Sequence, residues 1–307
     1  MRRADAIRAS VAAVAAALAL AGCGLGAGTA PGGVSLLVTR GFGAQTLIAD
    51  PAPNIDGADT VMRMLERSAH VTTAFGGGFV QSIGPLSGGG GSAWFYYVNG
   101  VEAGRGAAGT RLHAGDHVWW DFHDWSQTDD IPAVVGSFPE PFADGYGGKR
   151  LPLRIECSQP AAKACSAIEA VFAGLKMVAS LGCLLCSPEN ASLRVVVGPF
   201  ATLTSDPAAD QLTGPPARSG AYATFIDGGS HLELLSVRGH VVTTAGAGAG
   251  LIAATRFRGQ PPVWYVTGTD AAGVSAAVRA FNAQTLDDHF AVAVLAGAAV
   301  ALPDQQR

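Results

Sequence analysis

The chain has 307 residues, a length that suggests about two domains, and its 49% apolar content is ample for a core. The 41 glycines imply many turns and irregular loops. The formal charge is −4, and it becomes −6 once Arg2, Arg3, Asp5 and Arg8, which together carry +2, are set aside with the leader described next. With no basic stripe anywhere, a nucleic-acid partner is excluded, because such partners need concentrated positive charge.

Residues 1–23 open with positive charge, continue through an apolar run over 11–20 and end in Leu20-Ala21-Gly22-Cys23. The run is too short to span a bilayer, so it reads as the core of a signal peptide. Leu-Ala-Gly-Cys resembles the lipobox of bacterial lipoproteins. That resemblance implies cleavage before Cys23, diacylglycerol on its sulfur and a lipid anchor on the extracytoplasmic face of the cell membrane, stable because it carries more than one acyl chain. The alternative is an ordinary cleaved signal with an incidental cysteine. Residues 24–33 read as a flexible tether.

A first domain is expected over residues 34–126. Residues 34–40 form a strand, with 46–50 as hairpin partner. A helix follows over 60–69, capped by Asp56 or Asp59, with Val61, Met64 and Leu65 on one face. Residues 71–83 give strands broken by Gly76, Gly77 and Gly78, and the glycines at 88–91 make a loop that could rim a site. Residues 94–100, Trp-Phe-Tyr-Tyr-Val-Asn-Gly, are an aromatic strand in which Asn99-Gly100 suits a tight hairpin turn. Ala114-Gly115-Asp116 is a second turn, launching a strand from His117 to His123. Side chains alternate along a strand. Val118, Trp120 and Phe122 therefore form an apolar set that wants a core. His117, Trp119, Asp121, His123 and Trp125 form a mixed set, unusual for a plain solvent face. Trp94, Tyr96, Trp119, His123 and Trp125 are the candidate ligand-stacking surface. His117 and His123 stand too far apart on one extended strand to share an ion, so no metal site is expected.

The order of these elements, the box Trp94-Phe-Tyr-Tyr-Val-Asn-Gly100 and the later Gly115-Asp-His-Val-Trp119 resemble a family of secreted β-grasp modules similar to the C-terminal domain of transcobalamin. The likeness covers roughly residues 34–125. It implies a small sheet wrapped on one helix, and binding of a solute or polymer.

Residues 127–150 are rich in proline and glycine but too apolar for a free linker, so an ordered connector is expected. Over residues 151–302 the pattern changes to alternating strands and helices, an α/β domain with helices on the faces of its sheet. The whole chain is therefore expected to be α+β, a β-grasp-like domain followed by an α/β domain. Strands are expected over 151–156, 192–197, 262–267 and 290–295, a hairpin over 222–237, and helices over 161–179 and 270–280. Thr267-Gly-Thr-Asp-Ala-Ala-Gly273 is similar to the closing strand–helix unit of several envelope-associated α/β domains. The glycines at 246–250 have a spacing found in phosphate-cradling loops, but read better as a tight turn.

With Cys23 set aside, Cys157, Cys165, Cys183 and Cys186 remain, and they allow 3 pairings. Cys183-Leu-Leu-Cys186 could be a structural disulfide, a redox pair or half a metal site. A redox site of thioredoxin type would follow a strand and open a helix, whereas this motif follows a helical run. Because a strand end and the start of the next helix lie close, the local pairs Cys157–Cys165 and Cys183–Cys186 are expected.

No nucleophile elbow, phosphate loop or zinc-protease motif occurs. No cofactor is implied by the motifs themselves. The reading is a non-enzymatic, lipid-anchored binding protein that captures a flat corrinoid-like cofactor or a glycan, with a transporter or envelope protein as a possible partner. The alternatives are an envelope hydrolase with a catalytic α/β half, or a structural envelope protein.

Overall fold

In a computed structural model, which describes residues 28–158, 162–186 and 192–305, the chain is α+β. The leader, Cys23 and residues 24–27 of the tether lie outside the described residues. Among the described residues, no helix is long and apolar enough to cross a membrane.

The first half contains β1 (Ser35–Arg40), β2 (Gln45–Asp50), α1 (Val61–Ser68), β3 (Val71–Ala74), β4 (Phe79–Ile83), β5 (Leu86–Ser87), β6 (Ser92–Val98), β7 (Val101–Glu102) and β8 (His117–Asp124). A five-stranded sheet has the order β2-β1-β8-β6-β7, with β1 and β8 parallel and the other pairs antiparallel. Val61, Met64 and Leu65 of α1 are buried against Leu36, Val38, Val118 and Trp120 of this sheet. One helix thus packs on one face of a mixed sheet. The helix cap differs from expectation. Thr60 is the N-cap and accepts from Arg63 N, while Asp59 is buried and pairs with Arg67. Asn99 and Gly100 take φ of 56° and 72°, so the two-residue turn joins β6 to β7 as the Asn-Gly pair requires.

The second half contains β9 (Leu153–Cys157), α2 (Ala162–Gly174), β10 (Ala179–Cys183), β11 (Leu193–Pro199), α3 (Pro207–Asp210), α4 (Pro216–Ser219), β12 (Ala223–Ile226), β13 (His231–Leu235), β14 (Val241–Ala245), β15 (Gly250–Thr255), β16 (Val263–Gly268), α5 (Ala271–Ala280), α6 (Ala283–Leu286), β17 (Ala291–Leu295) and β18 (Ala298–Leu302). The seven-stranded sheet runs β10-β9-β11-β16-β15-β17-β18. Its first four strands are parallel and the rest join antiparallel. The inner strands β15, β16 and β17 are largely apolar on both faces, as burial on both sides demands, whereas β9 and β11 bring in the charged Arg154, Glu156 and Arg194. Ile168 and Phe172 of α2 and Val274 of α5 cover Ile155, Val195 and Trp264 on one face. The other face, with Val196, Ala253 and Tyr265, lies under Phe225, Leu232 and Leu234 of the three-stranded sheet β12-β13-β14. The expectation of helices on both faces is therefore corrected, because an antiparallel sheet supplies the second layer. The expected helix over 161–179 is also too long. It stops at Gly174, Lys176 turns the chain with φ of 61°, and residue 179 begins the edge strand β10.

The two halves share one core. Leu37, Phe42, Tyr97 and Trp119 pack in the same cluster as Tyr222, Ala253 and Phe290. Between them, Ile131, Ala133, Val134 and Val135 are buried. Glu102 N donates to Pro132 O at 3.2 Å, and Val135 N donates to Phe290 O at 3.2 Å, so this short stretch is hydrogen-bonded to both halves.

At the glycine run, Gly248 N donates to Asp270 Oδ2 at 3.0 Å, and Asp270 Oδ1 caps α5 by accepting from Gly273 N at 2.8 Å. A side-chain carboxylate thus takes the place an anion would occupy. A Cβ on Gly273 would lie 2.1 Å from Ala249 O, so the helix start sits directly on the turn.

Candidate functional site

The register of β6 against β8 decides where the sequence-predicted site residues go. Trp94 pairs with Phe122 and Tyr96 with Trp120, so both share the α1 face with the apolar set of β8. Phe95 pairs with Asp121 and Tyr97 with Trp119, which places Trp119 and His123 on the opposite face, toward the second half. Trp94, Tyr96, Trp119 and His123 are all buried, and Trp125 alone is exposed, at 45%. The proposed stacking surface is therefore corrected. Its residues lie on two faces of one sheet, and both faces are covered. Their polar tips are used internally: Trp94 Nε1 donates to Leu86 O at 3.2 Å, Trp119 Nε1 to Thr39 Oγ1 at 2.7 Å, and Tyr96 Oη lies 2.8 Å from Thr110 Oγ1.

Around His123 the structure assembles a different constellation. His123 Nδ1 lies 2.8 Å from Asp121 Oδ2, and since a carboxylate only accepts, Nδ1 donates. Asp121 is fully buried. It also accepts from Thr39 Oγ1, from Phe42 N at 2.9 Å and from Gly43 N at 3.0 Å. Four donors converge on this one side chain, so it is fixed in place without solvent. The imidazole is stacked between Phe42 and Phe95, each with its ring centroid 4.5 Å away. Its orientation is thus fixed from both faces and along one edge. With Nδ1 committed to Asp121, Nε2 is the nitrogen that can serve a ligand.

His123 forms part of the floor of an open cleft of about 770 Å³ between the two halves. The residue is 2% exposed, so it is almost wholly buried beneath the cleft. Arg40, Gln45 and Phe122 line the cleft from the first sheet. Arg238 and Ser236 line it from the turn after β13, and Asp304 and Gln305 from the C-terminal segment. Arg40 and Arg238 are exposed, and Arg40 Nε donates to Gln45 Oε1 at 2.6 Å. The walls thus combine cations, carboxylates and amides with the aromatic side chains of Phe42, Phe122 and His123. That mixture suits a small polar molecule with several hydrogen-bonding groups.

The segment from α1 to β8 carries the family signal. Residues 58–124 match a family described as Domain of unknown function (DUF4430). The match covers less than a quarter of the chain, and it includes Asp121 and His123. No curated protein and no solved structure matches the chain.

Of the cleft residues, sequence reading picked out His123 alone as a site residue. Asp121 was readable as its partner, since positions two apart on a strand share a face. Thr39, Phe42 and Arg238 join through long-range packing that no local pattern announces. Elsewhere, His117 Nδ1 lies 2.9 Å from Ser35 Oγ, and no metal-binding cluster of His, Cys, Asp or Glu occurs among the described residues. Both expected disulfides are present, Cys157–Cys165 and Cys183–Cys186.

Proposed function

We propose that this chain is an exported, lipid-anchored binding protein that captures a small polar ligand in the cleft floored by His123. The observation that carries this reading is the cleft itself, whose volume of about 770 Å³ falls in the range of ligand pockets, together with an imidazole held by Asp121, Phe42 and Phe95. The lipobox at Cys23 supports export and anchoring. The resemblance to transcobalamin-like β-grasp modules supports solute capture. Between the two ligand classes raised by the sequence, a glycan suits these walls better than a flat corrinoid. Arg40, Arg238, Asp304 and Gln305 offer hydroxyl-binding groups, while of the three lining aromatics Phe42 and His123 are buried and only Phe122 is half-exposed.

Calorimetric titration of the soluble form with short glycans and with a corrinoid tests this. A bound glycan whose affinity falls about tenfold or more in Arg238→Ala, at unchanged melting temperature, supports the cleft; loss of one contact worth about 1.4 kcal/mol has that size. Binding indifferent to Arg238→Ala and to His123→Asn would place the site elsewhere. A second reading is favoured by one observation. A carboxylate-oriented imidazole that lines the same cleft as Ser92 and Ser236 holds the residue types a general base and nucleophile use. Turnover of glycan or ester substrates in the same assay would favour the hydrolase.

A further inference from the structure

Cys183 ends the edge strand β10, and its Cα is the register partner of Cys157 across the parallel β9–β10 pair. Register partners on neighbouring strands stand about 5 Å apart with side chains on the same face, inside the Cα separation a disulfide spans. Yet Cys157 is bonded to Cys165 of α2, and Cys183 to Cys186. Two disulfides thus meet at one strand end, with one cysteine of each beside the other. They differ in access. Cys183 and Cys186 are exposed, Cys157 is half-buried and Cys165 is buried.

The exposed pair is also held in place. Leu185 N, inside the Cys183–Cys186 loop, donates to Glu156 Oε2 at 3.2 Å. Glu156 is itself fixed by Arg154 Nε at 3.0 Å and by Arg194 Nη2 at 2.8 Å. A Cβ on Gly182 would lie 2.1 Å from Arg154 Nη2, so the guanidinium rests against the backbone beside Cys183. A loop anchored by its middle amide keeps the two sulfurs near each other when their bond is broken. The sequence expectation that the motif follows a helix is corrected here as well, since its first cysteine ends a strand.

We propose that Cys183–Cys186 is a thiol–disulfide exchange site that takes two electrons from a pair of cysteine thiols on a partner polypeptide and passes them to Cys157–Cys165. A substrate thiolate attacks Cys186 Sγ, the Cys183–Cys186 bond breaks and Cys183 leaves as thiolate. The substrate's second thiolate attacks the substrate sulfur of this mixed disulfide, and Cys186 leaves. The substrate is now a disulfide, its two protons have gone to solvent, and the loop is a dithiol. Cys183 thiolate then attacks Cys157 Sγ, releasing Cys165. Cys186 thiolate attacks Cys183 Sγ, releasing Cys157 and restoring the exposed disulfide. The attack is assigned to Cys186 because the thiolate then freed is the one beside Cys157.

The test uses the whole oxidised chain with a limiting amount of reduced glutathione, followed by acid quench, alkylation and peptide mapping. The Cys183–Cys186 bond is expected to open about tenfold faster than Cys157–Cys165, as exposed disulfides do, and a peptide joining Cys157 to Cys183 is expected at intermediate times. In Cys186→Ser, that cross-linked peptide should accumulate, with Cys165 alkylated. Wild-type chain should also oxidise a dithiol peptide over many turnovers with glutathione disulfide as terminal oxidant, and Cys183→Ser should not. The proposal is overturned if Cys183 stays free beside an intact Cys157–Cys165 bond in Cys186→Ser. It is equally overturned if wild-type chain yields no joined peptide, a result that requires no variant to fold.

Discussion

Asn99 Nδ2 donates to Asp116 Oδ1 at 3.1 Å, which ties the turn after β6 to the turn that launches β8. The same amide donates to Gly145 O at 2.6 Å, and Asn99 Oδ1 accepts from His117 N at 2.7 Å. Asp116 Oδ2 accepts from His113 N at 2.7 Å. A Cβ on Gly100 would lie 2.9 Å from Val134 O, so the turn is also pressed against the segment between the halves. The Asn-Gly and Gly-Asp signatures therefore bind each other, and their role is to set the register of the sheet beneath the cleft. Asn99→Ala should destabilise the fold by about 2–4 kcal/mol, because two buried acceptors and one buried N–H lose their partner together. Urea denaturation checks this, and a change below about 1 kcal/mol would mean that water replaces the amide.

The two tryptophans in the middle of β8 now carry the same expectation. Trp119 is fully buried against Tyr97 and Phe290, and Trp120 is buried in the α1 core stacked on Tyr96. Each truncation to alanine should cost about 3–5 kcal/mol. Trp125→Ala, at an exposed position, should stay within about 0.5 kcal/mol. Thermal melts of the three variants read the difference.

This pair also shows how far the sequence could be read. Alternation along β8 correctly divided its residues into two faces, and α1 was legible from its period. What covers the second face is Phe42, Tyr222 and Phe290, drawn from three distant stretches. A local pattern reports which side chains point together, but not whether another layer lies over them. For the same reason Trp94 and Tyr96 were grouped with Trp119, since inter-strand register is invisible before pairing is known. Strand β10 was missed because its small residues extend the helical composition before it. The local disulfides were legible because chain connectivity alone brings those cysteines together.

Two carboxyls, the half-buried Glu102 and the buried Glu140, set a pH dependence. Burial raises Glu102 from its ordinary 4.5 to about 8, helped by its hydrogen bond with Asp130 and that group's charge. Burial likewise raises Glu140 to about 7, against the hydrogen bond from Asp144 N. The folded state then holds protons that the unfolded chain has released. Their contribution to stability is complete below about 4.5 and is lost as pH rises through about 7 and then about 8. Raising the pH from 5 to 9 should lower stability by on the order of 2–3 kcal/mol for Glu102 alone, taken below the full 1.36 kcal/mol per unit because the side chain keeps some solvent. Glu102→Gln should flatten the upper part of the curve. A melting temperature that rises across this window would contradict the sign.

Asp121 lies buried behind His123 and holds both that ring and the turn at Phe42 and Gly43, and Asp121→Asn separates these two tasks. The amide keeps one acceptor oxygen but turns two donors toward Thr39, Phe42 N, Gly43 N and His123, so at least one buried donor loses its acceptor. A loss of about 2–4 kcal/mol is expected. His123→Asn leaves the carboxylate its backbone and threonine donors, and should cost less while changing ligand binding. If both substitutions cost the same and neither alters binding, the pair supports packing alone.

Arg194 tests whether the second sheet depends on a buried charge network. It is 1% exposed and gives Nε and Nη2 to Glu156 Oε2, at 3.1 and 2.8 Å, and Nη2 to Asp206 Oδ2 at 2.5 Å. Burial works against its charge, but the hydrogen bonds and charges of the two carboxylates outweigh it and raise its pKa above the ordinary value. Removing the guanidinium leaves Glu156 and Asp206 buried without a shared cation. Arg194→Met should therefore cost about 3–5 kcal/mol, although methionine fills a similar space. Neutralising the acids as well, with Glu156→Gln and Asp206→Asn added to Arg194→Met, should recover part of the loss, because neither buried carboxylate is then left without a cation, although the half-buried Arg154 loses its ion pair with Glu156. Both acids have further duties that limit the recovery: Asp206 accepts from Ala208 N at the start of α3, and Glu156 from Leu185 N. Chemical denaturation of the single and triple variants decides the matter. A triple variant less stable than the single one would show that those backbone contacts, rather than charge pairing with Arg194, are what the two acids supply.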